Sequence, residues 1–568
     1  MRLLPILVLF LAAGCAGFRP VAPDPVQVYA GETTRIDLPV PLPAGERVRW
    51  HPGEGSAPVE GPSLVHAWQR PGLHTVVVEG GGGSAAFEVE VLPRPVLRII
   101  PDGVRFAVAL PGVWSSWPRL AAFAKRFSPD GAVGSFVDRL RERLGADPGD
   151  PTQLAARGID PAEDLAFVVF DFDPSSAWVL LGVLDDEKAE ALGRRILEIE
   201  AAEPVEVEGG RLWVGLLPTG EMRVFAVVGG YLAMRASDEA GAIEEAVRVL
   251  AATRGGLAAF EPFQQARALA PGEDAIFFTQ LPEEGGGWMR LVVGLELAES
   301  AAVARFGMPL DPRAAAEAAV AIGRSPGRSE ALDRFPAGAV GHLSLSLEPQ
   351  ALFELAFPEP MRRAFFEAMV RERTGVPLTR LLRDLTGKAS AAIYFDAQAF
   401  TELVAALVAG ADDGRLDTWP PLLARVELRG EGAGEDLLAV LRKTALFAGD
   451  GWWQRGPLFF RVEEGVLQVA TMRARHMRRA EGTADLREVF PPGVLDRQGV
   501  QALHLDVGAI FGALRSLEAR SAEAAVVRTL LLEEAAFLAP VQRALLFGTV
   551  VPEGVQGELR LELAPVAE

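Results

Sequence analysis

Cysteine is almost absent: Cys15 is the only one in 568 residues. One thiol cannot form an intramolecular disulfide framework, so stability is left to packing. Catalysis or metal ligation through a thiolate would have to use that one residue. Asn is missing altogether, and lysine is reduced to Lys125, Lys188, Lys388 and Lys443 beside abundant Arg, which reads as codon bias rather than chemistry. Beyond the first 14 residues no uninterrupted apolar stretch approaches the roughly 18 residues of a membrane-spanning helix. Positive charge is also short. Lys and Arg number 56 against 76 Asp and Glu, a net charge of −20. That balance opposes nucleic-acid phosphates and general adsorption to anionic membrane. What remains is an ordinary globular composition, 49% hydrophobic and 23% charged, and the length predicts three or more compact units.

The N-terminus carries an address. Arg2 precedes an apolar run, Leu3 to Ala13, which breaks at Gly14 just before Cys15. A basic residue, a short apolar stretch and small residues together make an export signal, too short to span a bilayer. The segment Ala12-Ala13-Gly14-Cys15 resembles the bacterial lipobox, with Leu11 four residues before the cysteine where the pattern usually has three. The resemblance implies a signal peptide over 1–14, acylation of Cys15, and a tether over 15–23. Ala16 after the cysteine implies sorting to the outer membrane, with the protein held there by its acyl chains.

Residues 24–93 show short alternating runs separated by Pro and Gly, as a β-sandwich would. Thr75-Val-Val-Val-Glu79 and Ala86-Phe-Glu-Val-Glu-Val91, joined by Gly80-Gly-Gly-Gly-Ser84, read as a hairpin. Trp50-His-Pro-Gly-Glu-Gly-Ser56 and His66-Ala-Trp-Gln-Arg-Pro-Gly72 resemble the PKD (polycystic kidney disease) type of Ig-like domain, with His51, Pro52, Glu54, Trp68 and His74 departing from its usual residues. The resemblance implies a spacer or interaction module.

From residue 96 onward the chain reads as one unit written twice, over 96–330 and 334–568. Pro101-Asp-Gly103 opens a strand as Pro336-Ala-Gly338 does, 235 residues later, and Ala166-Phe-Val-Val-Phe-Asp171 matches Ala391-Ala-Ile-Tyr-Phe-Asp396, 225 later. Ala275-Ile-Phe-Phe-Thr279 parallels Ala502-Leu-His-Leu-Asp506. Hairpins recur, as in Val205 to Val214 and Phe459 to Val469, and helices are expected over Glu187–Leu197 and Glu435–Leu446. The fold class expected is therefore multidomain: a small all-β Ig-like sandwich followed by a duplicated α+β body with mostly antiparallel sheets.

Catalytic strings fail on physical grounds. Gly323-Arg-Ser-Pro-Gly327 spells G-x-S-x-G, but Pro326 has no N–H to offer an oxyanion. Phe167-Val-Val-Phe-Asp-Phe-Asp-Pro-Ser175 resembles the first motif of haloacid-dehalogenase-type phosphatases, implying Asp171 as nucleophile and Asp173 as general acid. Pro174 replaces the usual Gly and no lysine motif follows. The six histidines, His342 and His504 among them, lack zinc-site spacing, and Asp412-Asp-Gly-Arg-Leu-Asp417 lacks the ligand pattern of a calcium loop. No cofactor and no metal are expected. Two other groups stand out. Arg473, Arg475, Arg478 and Arg479, with His476, form a basic knot suited to an anionic partner, where the first copy has Asp238, Glu239, Glu244 and Glu245. Trp114, Trp117, Trp452 and Trp453 stand beside Gly and Pro and suit packing, or stacking on a sugar. The reading is a non-enzymatic, membrane-anchored envelope lipoprotein that binds or scaffolds a protein or glycan partner and no nucleic acid. The alternatives are a carrier or chaperone for lipids or lipoproteins and a phosphatase-like hydrolase using Asp171.

Overall fold

The computed structural model describes residues 23–565 except 24–25, 30–33, 40–46, 54–55, 67, 69–71, 81–82, 93–94, 129–130, 171–176, 200–203, 208–209, 218, 237–249, 251–254, 283–287, 323–329, 409–420, 431, 472–482 and 496–498. Helices and mostly antiparallel sheets make up two compact units. Unit 1 comprises 1–118, 137–264 and 275–288; unit 2 comprises 119–136, 265–274 and 289–568.

Unit 1 begins with two small sheets. Strands β1 (Val26–Tyr29), β3 (Val48–His51), β4 (Val59–Glu60), β6 (Gly72–Gly80) and β7 (Gly83–Leu92) run in the order β1-β7-β6-β3-β4, and β2 (Thr34–Asp37) pairs with β5 (Ser63–His66). Only β1 with β7 is parallel within them. The alternation that marks these runs puts Val76, Val78, Val89 and Val91 in a core around Trp50 and Trp68, both fully buried. Each indole N–H has a backbone carbonyl to donate to, Gly61 O at 2.9 Å and Pro52 O at 3.0 Å. Burial therefore leaves neither indole unsatisfied.

The rest of unit 1 is helices and one antiparallel sheet, built from β8 (Phe106–Leu110), β9 (Leu165–Val169), β10 (Ala177–Gly182), β11 (Pro204–Val207), β12 (Gly210–Leu216), β13 (Met222–Val228), β14 (Tyr231–Ala236) and β15 (Ala275–Pro282). Their order is β15-β8-β9-β10-β14-β13-β12-β11. The helix Asp186–Ile196, capped by Asp185, buries Ala189 and Leu192. Gly193 lets it approach closely: a Cβ there would lie 2.7 Å from the Phe225 ring.

Unit 2 holds β17 (Ala301–Pro309), β19 (Gly341–Ser346), β20 (Leu385–Ile393), β21 (Leu422–Leu428), β22 (Leu446–Gly449), β23 (Trp452–Arg455), β24 (Leu458–Glu463), β25 (Val466–Thr471), β27 (Gln501–Asp506), β28 (Val541–Val551) and β29 (Gly554–Leu563), with β16 (Trp288–Leu297) at its start. A short pair, β18 (Arg334–Pro336) with β26 (Thr483–Asp485), lies apart from the main sheet. The main order is β16-β17-β29-β28-β27-β19-β20-β21-β25-β24-β23-β22, all antiparallel. From β27 to β22 this is the order of the unit 1 sheet from β15 to β11, strand for strand.

Turns repeat as well. Gly229 and Gly230 join β13 to β14 with φ of 57° and 82°, and Glu464 and Gly465 join β24 to β25 with φ of 50° and 74°. Two consecutive positive φ values define the two-residue turn whose twist matches that of antiparallel strands. The helix Ala433–Thr444 buries Leu441, and Gly434 meets Val462 of β24 at 2.6 Å from its would-be Cβ, as Gly193 meets Phe225 of β13. A further helix, Pro312–Ala321, is capped by Asp311.

Candidate functional site

Along β19, β27 and β28 side chains alternate between two faces of the unit 2 sheet. One face carries His342, Ser344, His504 and Leu545, all buried. The other carries Leu343, Leu503 and Leu546, which stand opposite one another in register. Leu546 remains 38% exposed. A cavity of about 530 Å³ lies over this apolar row, bounded by Phe306 of β17, Val550 of β28 and Val555 of β29, and by Ala318 and Ile322 at the helix Pro312–Ala321. Its volume falls in the range of small-molecule sites.

Two glycines make the space. Gly548 and Gly557 are register partners on β28 and β29, and Phe306 pairs with Gly557 from β17. A Cβ on Gly557 would sit 2.0 Å from Phe306 Cζ, so the ring lies across the glycine backbone. A Cβ on Gly548 would meet nothing closer than 3.4 Å. That position is open, and a larger side chain there would fill the groove. Polar lining is limited to side chains already engaged. Gln501 Nε2 donates to Ser346 O at 2.6 Å and its Oε1 accepts from Ser346 N at 3.3 Å, while Thr549 Oγ1 donates to Val550 O at 3.4 Å. The site offers apolar area without a directional demand on what enters it.

Behind the groove, on the other face, His342 and His504 meet across β19 and β27, although 162 residues separate them in sequence. Their Nδ1 atoms are 3.3 Å apart, so one donates and the other accepts. Phe490 meets the His504 ring edge-on at 6.3 Å. Burial, and then the His504 charge, push His342 down to about 4. His504 is lowered by burial and by Arg543, against a smaller opposing effect of Asp506. Both rings are neutral at pH 7. In unit 1 a contrasting group is buried: Glu163 accepts from Tyr231 Oη at 2.9 Å, and burial raises it to about 7.

Cys15 and the basic knot Arg473, Arg475, Arg478 and Arg479 lie outside the described residues, as do Asp171, Asp173, the Gly323–Gly327 string, the Asp412–Asp417 loop and the acidic residues 238–245. The tryptophans are described. Trp114 is buried with its ring 6.4 Å from that of Trp117; Trp452 is buried under Arg461, and Trp453 meets Phe447 edge-on. Each packs on its own element or its neighbour. Asp396, matched to Asp171 in sequence, caps the helix Ala397–Val408 by accepting from Ala399 N at 3.0 Å. Among the described residues no group of three or more His, Cys, Asp and Glu could hold a metal ion, and no helix is long and apolar enough to cross a membrane. Sequence reasoning missed the groove. It depends on side chains brought together from β17, β19, β27, β28, β29 and the helix Pro312–Ala321, which are far apart in the chain. Comparison of the chain with protein-family models and with curated proteins finds no match.

Proposed function

We propose that this protein is a non-enzymatic, lipid-anchored binding protein of the bacterial envelope, held at the outer membrane through Cys15. In this reading a PKD-like spacer over 24–93 precedes two copies of an α+β unit, 96–330 and 334–568, and the binding surface is built on strands of the second copy and bordered by Phe306, Ala318 and Ile322 from the end of the first. The observation that carries it is the groove over Leu343, Leu503 and Leu546, apolar and open, whose polar side chains are bonded to the protein itself. Such a surface binds by excluding water and has no group poised for bond making. The shared strand order of the two sheets supports the duplication. Arg473, Arg475, Arg478 and Arg479 supply a second contact, to an anionic partner such as lipid phosphate or an acidic protein.

Membrane fractionation tests the anchor: Cys15→Ser is expected to move the protein to the soluble fraction, and unchanged sedimentation with membranes refutes anchoring there. A photo-crosslinking amino acid in place of Leu546 tests the surface. Adducts with envelope components are expected, and their absence from living cells refutes the binding reading. Charge reversal at Arg475 and Arg478 is expected to reduce the captured set.

A further inference from the structure

We infer that the unit 2 groove holds one hydrocarbon chain of a membrane glycerolipid. The inference rests on the binding reading above and names the ligand class.

Hydrogen-bond accounting is the first ground. A peptide segment docked as a strand brings backbone N–H and C=O groups that must find partners. Along its apolar row the groove offers none: at Leu343, Leu503 and Leu546 the strands β19, β27 and β28 are paired on both sides, as β29 is beside them, so no strand edge opens there. Gln501 and Thr549 already have partners. An alkyl chain is the ligand that loses no hydrogen bond on entering and gains from leaving water.

Charge is the second. Arg305, beside a smaller cavity of about 240 Å³ that shares Gly548 and Thr549 with the groove, is committed to Glu296 at 2.8 Å and Glu558 at 3.2 Å. A free fatty acid would bring a carboxylate to a place whose cation is already neutralised. An esterified chain, with its headgroup left in water, brings no such charge.

Packing is the third. The helix Pro312–Ala321 borders the groove through Ala318 and a further cavity of about 450 Å³ through Ala315, Ala316 and Ala319. Interiors close-pack with few voids larger than water. An alanine-rich helix with space on both sides has room to move aside as a chain enters.

The test uses the full chain with Cys15→Ser, purified without detergent. Native mass spectrometry is expected to show an added mass that dissociates as a phospholipid. Phosphatidylglycerol carrying a pyrene-labelled acyl chain is then titrated against the delipidated protein. Gly548→Leu, filling the groove from the sheet, and Ala318→Phe, filling it from the helix, are each expected to weaken probe binding tenfold or more with unchanged circular dichroism; should one fail to fold, the other decides. Probe binding untouched by a folded filling variant, or no probe binding by the unsubstituted protein, overturns the inference. Palmitate displacing the probe at lower concentration than unlabelled phosphatidylglycerol overturns the glycerolipid assignment. If the photo-crosslinker at position 546 captures protein while the lipid probe does not bind, the ligand is a protein segment, and the lipid inference falls while the binding reading stands.

Discussion

The two sheets share a strand order and differ in what crosses their buried faces. In unit 1 the register row Ala109, Ala166, Leu180, Ala233, Ala226 and Leu212 is apolar and almost wholly buried. In unit 2 the row at the same strands reads Ser344, Ser390, Arg425, Gln468 and Arg461. Its members are bonded: Ser390 to Leu332 O, Arg425 to Arg334 O, and Gln468 to Arg461 at 3.3 Å and Glu463 at 3.2 Å. One step along, Ala107 faces Phe278 in unit 1, and His342 faces His504 in unit 2. One topology thus accepts an oily or a hydrogen-bonded interior. The lesson is that strand order is carried by turns and alternation, while the chemistry of the buried row is free to change wherever partners satisfy it.

Exchanging the rows should break the comparison most severely. Leu180→Arg places a charge in a row without partners and is expected to unfold the unit 1 sheet, costing more than about 4 kcal/mol. The reverse change, Arg425→Leu, is expected to cost only about 1–2 kcal/mol, because a well-packed leucine can replace a buried charge. Urea unfolding with hydrogen-exchange mass spectrometry assigns each loss to its unit. Equal costs would show that the two rows are not alternative solutions to one packing problem.

Acid should move the two units in opposite directions, each by on the order of 2 kcal/mol. His342 is lowered from 6.5 to about 4, so the unfolded chain takes up the proton first. Its stabilising effect is full above pH 6.5 and is lost as pH falls towards 4. Glu163 is raised from 4.5 to about 7, so the native state binds the proton more tightly. Its effect is full below pH 4.5 and is lost as pH rises through 7. Exchange protection measured from pH 4.5 to 7 in each unit checks both signs. The pair His342→Ala and His504→Phe, which copies Ala107 and Phe278, is expected to remove the unit 2 dependence.

Smaller effects sharpen the groove and the caps. Gly557→Ala forces the Phe306 ring off the strand and is expected to cost about 1–3 kcal/mol, with Gly548→Ala near neutral. Asp396→Ala removes the cap of Ala397–Val408 and should cost about 1 kcal/mol. Thermal or urea midpoints of the three variants rank them, and a Gly548 cost equal to that of Gly557 would deny the open space.

Much of the architecture was legible before any tertiary contact was known. The hairpins Val205 to Val214 and Phe459 to Val469 sit where Gly and alternation placed them, and the helices Asp186–Ile196 and Ala433–Thr444 lie within two residues of the expected spans. The internal match was less well read. Aligning Asp171 with Asp396 equates Ala166 with Ala391, but the strand registers place Ser390 there, opposite Ser344 as Ala166 is opposite Ala109. A slip of one residue turns every side chain to the other face, so the polar row was invisible at sequence level. The spacing of His342 and His504 gave no sign of their contact for a related reason, since only the pairing of β19 with β27 joins them.

The sequence by itself determined the elements, their turns and the balance of charge, because these rest on periodicities and backbone preferences that act within a few residues. Tertiary structure decided which residues share a face, how a buried arginine and two histidines are accommodated, and where glycines on adjacent strands leave a groove. Those outcomes depend on register between strands distant in the chain, where the side-chain period of two makes each pairing an all-or-none choice of face.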